Sequence, residues 1–103
     1  MSNRLEALRN MVTQNPKDSF SRYGLAMEHA NSGDLERAVQ EYQALLAMNA
    51  DYSAAYYHGG QALEKLGRRE EARAIYRQGI EATTRIGDLH ARSELQAALD
   101  LLG

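Results

Sequence analysis

A chain of 103 residues has room for one domain with one modest core. Its hydrophobic share of 44% and charged share of 25% are those of an ordinary globular protein, and its net charge of −2 gives no general attraction to nucleic acid or anionic lipid. The absence of cysteine excludes disulfides and thiolate metal sites. No apolar run approaches the roughly 20 residues of a membrane span, and the first residues carry charges, so we expect a cytoplasmic protein without a membrane partner.

The residue usage favours helices over strands. Leu, Ala, Glu, Gln, Arg and Met are good helix formers and fill much of the sequence, whereas few runs are rich in Val, Ile or Thr. The chain has one proline, Pro16, and the residue before a proline is disfavoured in a helix. The composition therefore predicts an all-α protein whose first helix ends near residue 15.

Helix punctuation follows at regular intervals along the chain. An aspartate side chain accepts a hydrogen bond from a free N–H at a helix start, and glycine readily takes the left-handed conformation at a helix end. These signals predict helices over residues 19–31 and 69–84, a helix after Asp34 that ends near residue 48, one after Asp51 that ends before Gly67, and a last helix over residues 89–102. The predicted capping aspartates are Asp18, Asp34, Asp51 and Asp88. The connections are too short for anything except antiparallel neighbours.

The sequence repeats itself at an offset of 34 residues. Each glycine of the repeat falls in a turn between two helices, each alanine lies where two backbones approach closely, and each tyrosine follows four residues later on the same face. The matching pairs are Ser19 and Ser53, Tyr23 and Tyr57, Gly33 and Gly67, Glu36 and Glu70, Ala38 and Ala72, and Tyr42 and Tyr76.

These positions resemble the tetratricopeptide-repeat family. The family pattern reads Tyr56, Gly59, Gly60, Leu63, Ala72, Tyr76 and Thr84 in the second unit, and Arg22, Leu25, Ala26, His29, Ala38, Tyr42 and Ala50 in the first. The chain departs from the pattern where Arg22 replaces a large apolar residue, where Gly59 replaces a leucine, and where neither unit ends in proline. The resemblance implies about six helices in antiparallel hairpins, stacked as a short right-handed superhelix.

The resemblance also divides the single domain of residues 1–103 into four parts. Residues 1–16 are expected to form the second helix of an incomplete unit, residues 19–52 and 53–86 two full repeats, and residues 88–103 a capping helix. Leu95, Leu99 and Leu102 give this last helix an apolar stripe at helical spacing. The alternative is a generic helical bundle whose spacing is accidental.

No residue pattern indicates catalysis. The three histidines, His29, His58 and His90, form no H-E-x-x-H pattern, so we interpret them as structural. Gly59 and Gly60 lie inside a predicted helix and lack the lysine or serine of a phosphate-binding loop, so close helix packing explains them better. We therefore expect a protein that is not an enzyme and that has no catalytic residue, cofactor or metal.

The resemblance implies a concave groove lined by the first helix of each unit. One face of these helices, with a contribution from the capping helix, predicts a partner-binding groove formed by Phe20, Tyr23, Met27, Asn31, Tyr57, Gln61, Glu64, Lys65 and Leu95. Grooves that bind terminal carboxylates carry Lys, Arg and Asn at such positions, and Tyr23, Met27, Tyr57 and Gln61 disfavour that function.

The leading hypothesis is a non-catalytic adaptor that presents this aromatic and methionine-lined groove to a peptide or helix of a partner protein. One alternative is a self-associating scaffold, a homodimer through the groove or the last helix. Another is that Tyr23 and Tyr57 only cover neighbouring helices, or that the terminal helix fills the groove. RNA binding is disfavoured because acidic residues of the second unit cancel its basic ones.

Overall fold

The computed structural model describes residues 3–103, which form six α-helices and, within that range, no strand. The helices are α1 (Asn3–Gln14), α2 (Ser19–Asn31), α3 (Leu35–Met48), α4 (Ser53–Lys65), α5 (Arg69–Ile86) and α6 (Leu89–Leu102). The predicted all-α fold is confirmed. Helix α5 continues two residues past the predicted end at Thr84, because Gly87 at φ 76° supplies the left-handed cap. Residues 1 and 2 of the predicted half repeat lie outside the described residues.

Three of the four predicted aspartate caps are present. Asp18, Asp34 and Asp88 each accept a hydrogen bond from a backbone N–H in the first turn of the helix that follows, at 3.1–3.2 Å. Each bond satisfies one of the N–H groups that a helix start leaves without an intrahelical partner. The starts of α2, α3 and α6 are therefore fixed by local sequence.

The fourth predicted cap, Asp51, is wrong. Tyr52 occupies the N-cap position of α4 and makes no side-chain capping bond. Its ring instead packs against Tyr23, with ring centroids 5.2 Å apart. The Asp51 carboxylate pairs with Arg85 near the end of α5, at 2.6 Å between oxygen and nitrogen. A tertiary contact has replaced a local one at this helix start.

The helices form two layers. Each helix packs against the next in the chain, and α4 also contacts α2 and α6 directly. Within residues 3–103, the backbones of α1 and α3, and those of α3 and α5, do not come within 8 Å of each other at their Cα atoms. Helices α2, α4 and α6 therefore form a tighter inner layer, and α1, α3 and α5 form an outer layer that spreads apart, so the stack is concave on its inner face.

Small residues bring the two layers into close contact. Ala38 and Ala72 are fully buried, and so are the rings of Tyr42 and Tyr76 that follow them on the same helix faces. A Cβ atom placed on Gly60 would lie within 2.5 Å of Tyr76 Cζ. Gly60, which stands at the glycine of the family pattern, is thus required for α4 and α5 to approach this closely.

The residue at the start of the first helix of each unit binds the backbone of the preceding unit. The Tyr56 hydroxyl donates to the Ala50 carbonyl oxygen at 2.5 Å, and the Arg22 guanidinium donates to the Pro16 carbonyl oxygen at 3.3 Å. The two contacts are related by the 34-residue offset. Arg22 also pairs with Glu41 at 2.8 Å. Although Arg22 departs from the family pattern in residue type, it makes the same contact.

Candidate functional site

The residues expected in the groove have three levels of exposure. The Phe20 side chain is 72% exposed, and Asn31 and Lys65 are also exposed. Five others are half-buried, namely Tyr23, Met27, Tyr57, Gln61 and Glu64. Phe20, Tyr23 and Met27 are spaced three and four residues apart on α2, as are Tyr57, Gln61 and Glu64 on α4, so each set lies on one face of its helix.

The α2 end of the inner face is aromatic and apolar. The Tyr23 ring lies 6.3 Å from the ring of Tyr42 and 5.9 Å from that of His58, measured between centroids, in tilted arrangements. Tyr42 donates its hydroxyl proton to the sulfur of Met27 at 3.1 Å. These contacts hold Tyr23 and Met27 in place while leaving part of each side chain accessible.

The α4 end of the inner face is polar. The Gln61 amide donates to the Tyr76 hydroxyl at 2.7 Å, and that hydroxyl donates in turn to Glu64. Burial raises the pKa of Tyr76, and the hydrogen bond to Glu64 raises it further, so the phenol remains a proton donor at neutral pH. Tyr42 and Tyr76 occupy equivalent positions in the two units, yet one reaches a methionine and the other a carboxylate.

Leu95 does not line the groove, contrary to the prediction. Its side chain is fully buried, and a Cβ atom placed on Gly79 of α5 would lie 2.9 Å from Leu95 Cδ1. The apolar stripe of the last helix explains why, because Leu95 and Leu102 share the face that packs on α5. The face next to this stripe points to the groove instead.

A cleft separates α4 from α6 at this end of the inner face. It has a volume of about 340 Å³ and is lined by Tyr57, Gln61, Glu64, Glu94, Ala97, Ala98 and Leu101. The Leu101 side chain is 89% exposed. Sequence reasoning missed Glu94 and Leu101. Both could have been found by assigning the whole leucine stripe of α6 to the core. Glu94 precedes Leu95 and Leu101 precedes Leu102, so each lies on the face next to the stripe.

His58 is a third inner-face residue that sequence reasoning missed. It is half-buried, with its ring 5.9 Å from Tyr23 and 5.4 Å from Tyr57 between centroids. Burial lowers the pKa of His58, and the negative charge of Glu94 opposes that shift. The equivalent residue of the first unit is Gly24, so the repeat gives no signal at this position.

Two further clefts lie on the opposite side of the molecule. One of about 580 Å³ separates α3 from α5, and a similar one of about 520 Å³ separates α1 from α3. Residues that line the two clefts are related by the 34-residue offset, such as Val12 and Leu46, or Thr13 and Ala47. Because the clefts recur wherever two outer helices spread apart, we interpret them as a consequence of stacking rather than as a specific site.

The described residues offer no group of three or more His, Asp or Glu side chains that could hold a metal ion. In the same part of the chain, no helix is both long enough and apolar enough to span a membrane.

Comparison with known proteins decides the family. A sequence model described as the tetratricopeptide repeat matches residues 29–99. The chain belongs to the tetratricopeptide-repeat family. A repeat-containing protein of Pseudomonas aeruginosa that carries the family's name is 28% identical over 95 residues, which cover 92% of this chain and 90% of that protein.

Solved tetratricopeptide-repeat structures share the fold. A tetratricopeptide-repeat domain from Salinibacter ruber superposes with a TM-score of 0.80 at 38% identity, covering 85% of this chain and 89% of that one. The Yersinia enterocolitica type III secretion chaperone SycD, in complex with a peptide of the translocator YopD, superposes with a TM-score of 0.81 at 17% identity. That match covers 95% of this chain and 76% of the chaperone and indicates a common fold.

Proposed function

We propose that this protein is a non-catalytic interaction adaptor, and that the inner face of α2, α4 and α6 binds a peptide or helix of a partner protein. The observation that carries the proposal is the exposed apolar surface at the α2 end. Phe20 is 72% exposed beside the half-buried Tyr23 and Met27. Among residues 3–103, no Cα atom of α6 lies within 8 Å of one in α2, so the backbone of the terminal helix does not lie over this surface.

Aromatic and methionine side chains suit this role physically. They supply a large contact area, and aromatic rings lose little conformational entropy on binding. Tyr23 is already oriented by three neighbouring rings, so its side chain loses little further conformational entropy when a partner binds. The SycD complex with a YopD peptide supports the proposal as a fold-level analogy, because that chaperone has the same fold and binds a peptide.

The proposal is tested by selecting binders from a random peptide library against the intact chain. Affinities of selected peptides are then measured by fluorescence anisotropy on wild type and on the double variant Phe20→Glu with Met27→Gln. Both substitutions suit the fold. Glutamate is favourable in the first turn of a helix, and glutamine can accept the Tyr42 hydroxyl in place of the sulfur. We expect the double variant to weaken binding by about tenfold or more.

Met48→Gln is the matched control, since Met48 is exposed on α3 in the outer layer. It should leave the affinity unchanged. Failure to select any peptide, or equal affinity for wild type and the groove double variant, would refute the proposed function.

Self-association is the second candidate, favoured by the exposed leucines of α6. Leu89 is 69% and Leu101 89% exposed, and exposed apolar surface often marks an interface. Light scattering over a wide concentration range measures the molar mass of wild type, of the groove double variant and of Leu101→Gln. A dimer disrupted by either variant would assign that surface to self-assembly, whereas a monomer at every concentration would exclude this candidate.

A further inference from the structure

The two ends of the groove differ in chemistry. A tyrosine of the outer layer reaches each end, but it meets a different side chain there. At the α2 end, Tyr42 donates to the sulfur of Met27. At the end formed by α4 and α6, Tyr76 donates to the carboxylate of Glu64. The groove therefore runs from an apolar end to an acidic end, and a partner that fills it must match both.

The cleft at the acidic end combines carboxylates with apolar walls. Both hydrogen bonds of Glu64 go to its Oε2 atom, so Oε1 has no hydrogen-bond partner among residues 3–103. Among residues 3–103, the ion-pair partner of Glu94 is the exposed His90, at 3.7 Å, and that pair forms only when the histidine is protonated. His58 also faces Glu94, but burial lowers the pKa of His58 and so disfavours its charged form. Ala97 and Leu101 form an apolar wall beside these carboxylates. No lysine or arginine of the described chain lines the cleft.

We propose that the partner segment inserts a lysine or arginine side chain into this cleft while an apolar residue of the same segment packs on Tyr23 and Met27. The inference rests on the proposed function and specifies its ligand chemistry. The aliphatic part of a lysine or arginine would pack on Ala97 and Leu101, and the charged end would donate to Glu64 Oε1 and to Glu94.

Other partner chemistries fit the cleft less well. An acidic segment would meet two like charges. A wholly apolar segment would remove the Glu64 carboxylate from water and leave Oε1 without a donor, which is unfavourable. Lys65 follows Glu64 on α4, but it is exposed and does not line the cleft, so its charge does not occupy the position that the partner's cation would take.

The peptides selected from the random library against the intact chain are the probe for this inference. We expect them to share a lysine or arginine at a fixed distance from an apolar residue. Glu64→Gln and Glu94→Gln should each weaken such a peptide by about tenfold. Glutamine at position 64 can still accept the Tyr76 hydroxyl, so the fold is retained. Added salt should weaken binding to wild type more than binding to either variant.

Glu81→Gln is the control, because it changes the net charge equally on α5 in the outer layer. It should leave the affinity unchanged. If the selected peptides lack a basic residue, or bind wild type, Glu64→Gln and Glu94→Gln equally, the inference is overturned. The proposed function still stands in that case, provided that the Phe20→Glu, Met27→Gln variant weakens the same peptides. If no peptide is selected, both fail together.

Discussion

At the residue scale, Gly60 shows how one missing side chain fixes the distance between two helices. The Tyr76 ring occupies the space that a Cβ atom on Gly60 would need, and its hydroxyl is held by Gln61 and Glu64. The ring therefore has no free direction in which to move. In the first unit, Ala26 occupies the equivalent position, so α2 and α3 accommodate the methyl group that Gly60 lacks.

Gly60→Ala is expected to lower the free energy of unfolding by about 1–2 kcal/mol, because overpacking costs about 1–3 kcal/mol and the gain in helix propensity offsets up to about 1 kcal/mol. Urea unfolding followed by circular dichroism measures the change. Gly24→Ala is the matched control. Its new Cβ would meet only the end of the flexible Leu8 side chain, at 3.1 Å, so the variant should be as stable as wild type or more so. Two variants of equal stability would contradict the packing argument.

His58 gives the protein a pH dependence of known sign. Burial lowers its pKa from 6.5, and the groups that face it are Tyr23, Tyr57 and Glu94. The unfolded chain therefore takes up a proton at a pH where the folded chain does not. The stability that depends on a neutral His58 is fully present above about pH 6.5 and is lost as the pH falls toward the pKa of His58 in the folded chain.

We expect His58→Gln to lose less stability than wild type between about pH 7.5 and about pH 5.5, because the substitution removes this proton uptake. Urea unfolding of both proteins at the two pH values measures the difference. Parallel losses in the two proteins would mean that His58 is solvated as in the unfolded chain.

The sequence predicts some of these residues better than others. The buried pair of Ala72 and Tyr76 follows from spacing alone, because both recur 34 residues after Ala38 and Tyr42. His58 could not be found in this way, since the first unit has Gly24 in its place. The hydrogen bonds of the Tyr76 hydroxyl could not be predicted from the sequence either. Its partners Gln61 and Glu64 depend on how closely α5 packs on the inner layer.

At the scale of helices, one hydrogen bond near the start of each inner helix recurs between successive units. Tyr56 donates to the Ala50 carbonyl, and Arg22 makes the equivalent bond to Pro16. A phenol and a guanidinium have different shapes, but both are long side chains that end in a donor. The position therefore requires a long side chain that ends in a hydrogen-bond donor rather than one residue type. This is why the departure from the family pattern at Arg22 leaves the contact intact.

Tyr56→Phe is expected to lower the free energy of unfolding by about 1 kcal/mol, because it removes the hydrogen bond to Ala50 and leaves the ring in place. Tyr57→Phe serves as the control, since the Tyr57 hydroxyl has no hydrogen-bond partner within residues 3–103. It should change stability by less than about 0.5 kcal/mol. Equal effects in thermal and urea unfolding would show that the Tyr56 hydroxyl does not contribute to unit contact.

Helix starts follow from sequence where the cap is local and not where it is tertiary. Asp18, Asp34 and Asp88 reach N–H groups within three residues, so short-range rules predict them. Asp51 has the same sequence context but pairs with Arg85, which lies 34 residues further along the chain. The identity of that partner depends on the stacking of the second unit on the first, so no local rule could supply it.

At the scale of the whole molecule, the two ends of the stack are closed unequally. Helix α6 contributes Leu95, Ala98 and Leu102 to the main core, whereas Val12 is the one residue of Asn3–Gln14 that is buried. A repeat stack depends on its terminal helices, because each repeat buries its apolar face only against a neighbour. The C-terminal cap should therefore contribute far more stability than the N-terminal one.

Removing the two ends separately tests this asymmetry. A chain of residues 1–88 lacks α6 and exposes the surface of Tyr56 and Gly79 that Leu95 covers. Burial of two leucines contributes roughly 3–6 kcal/mol, a large part of the roughly 5–15 kcal/mol typical of a domain, so this chain should lose cooperative unfolding. A chain of residues 16–103 loses mainly Val12, or about 1.5–3 kcal/mol, and should still unfold in one transition.

Urea titrations followed by circular dichroism distinguish the two truncated chains. Similar transitions in both truncated chains would mean that α6 is not the helix that closes the core, and the acidic cleft between α4 and α6 would then lack a rigid wall.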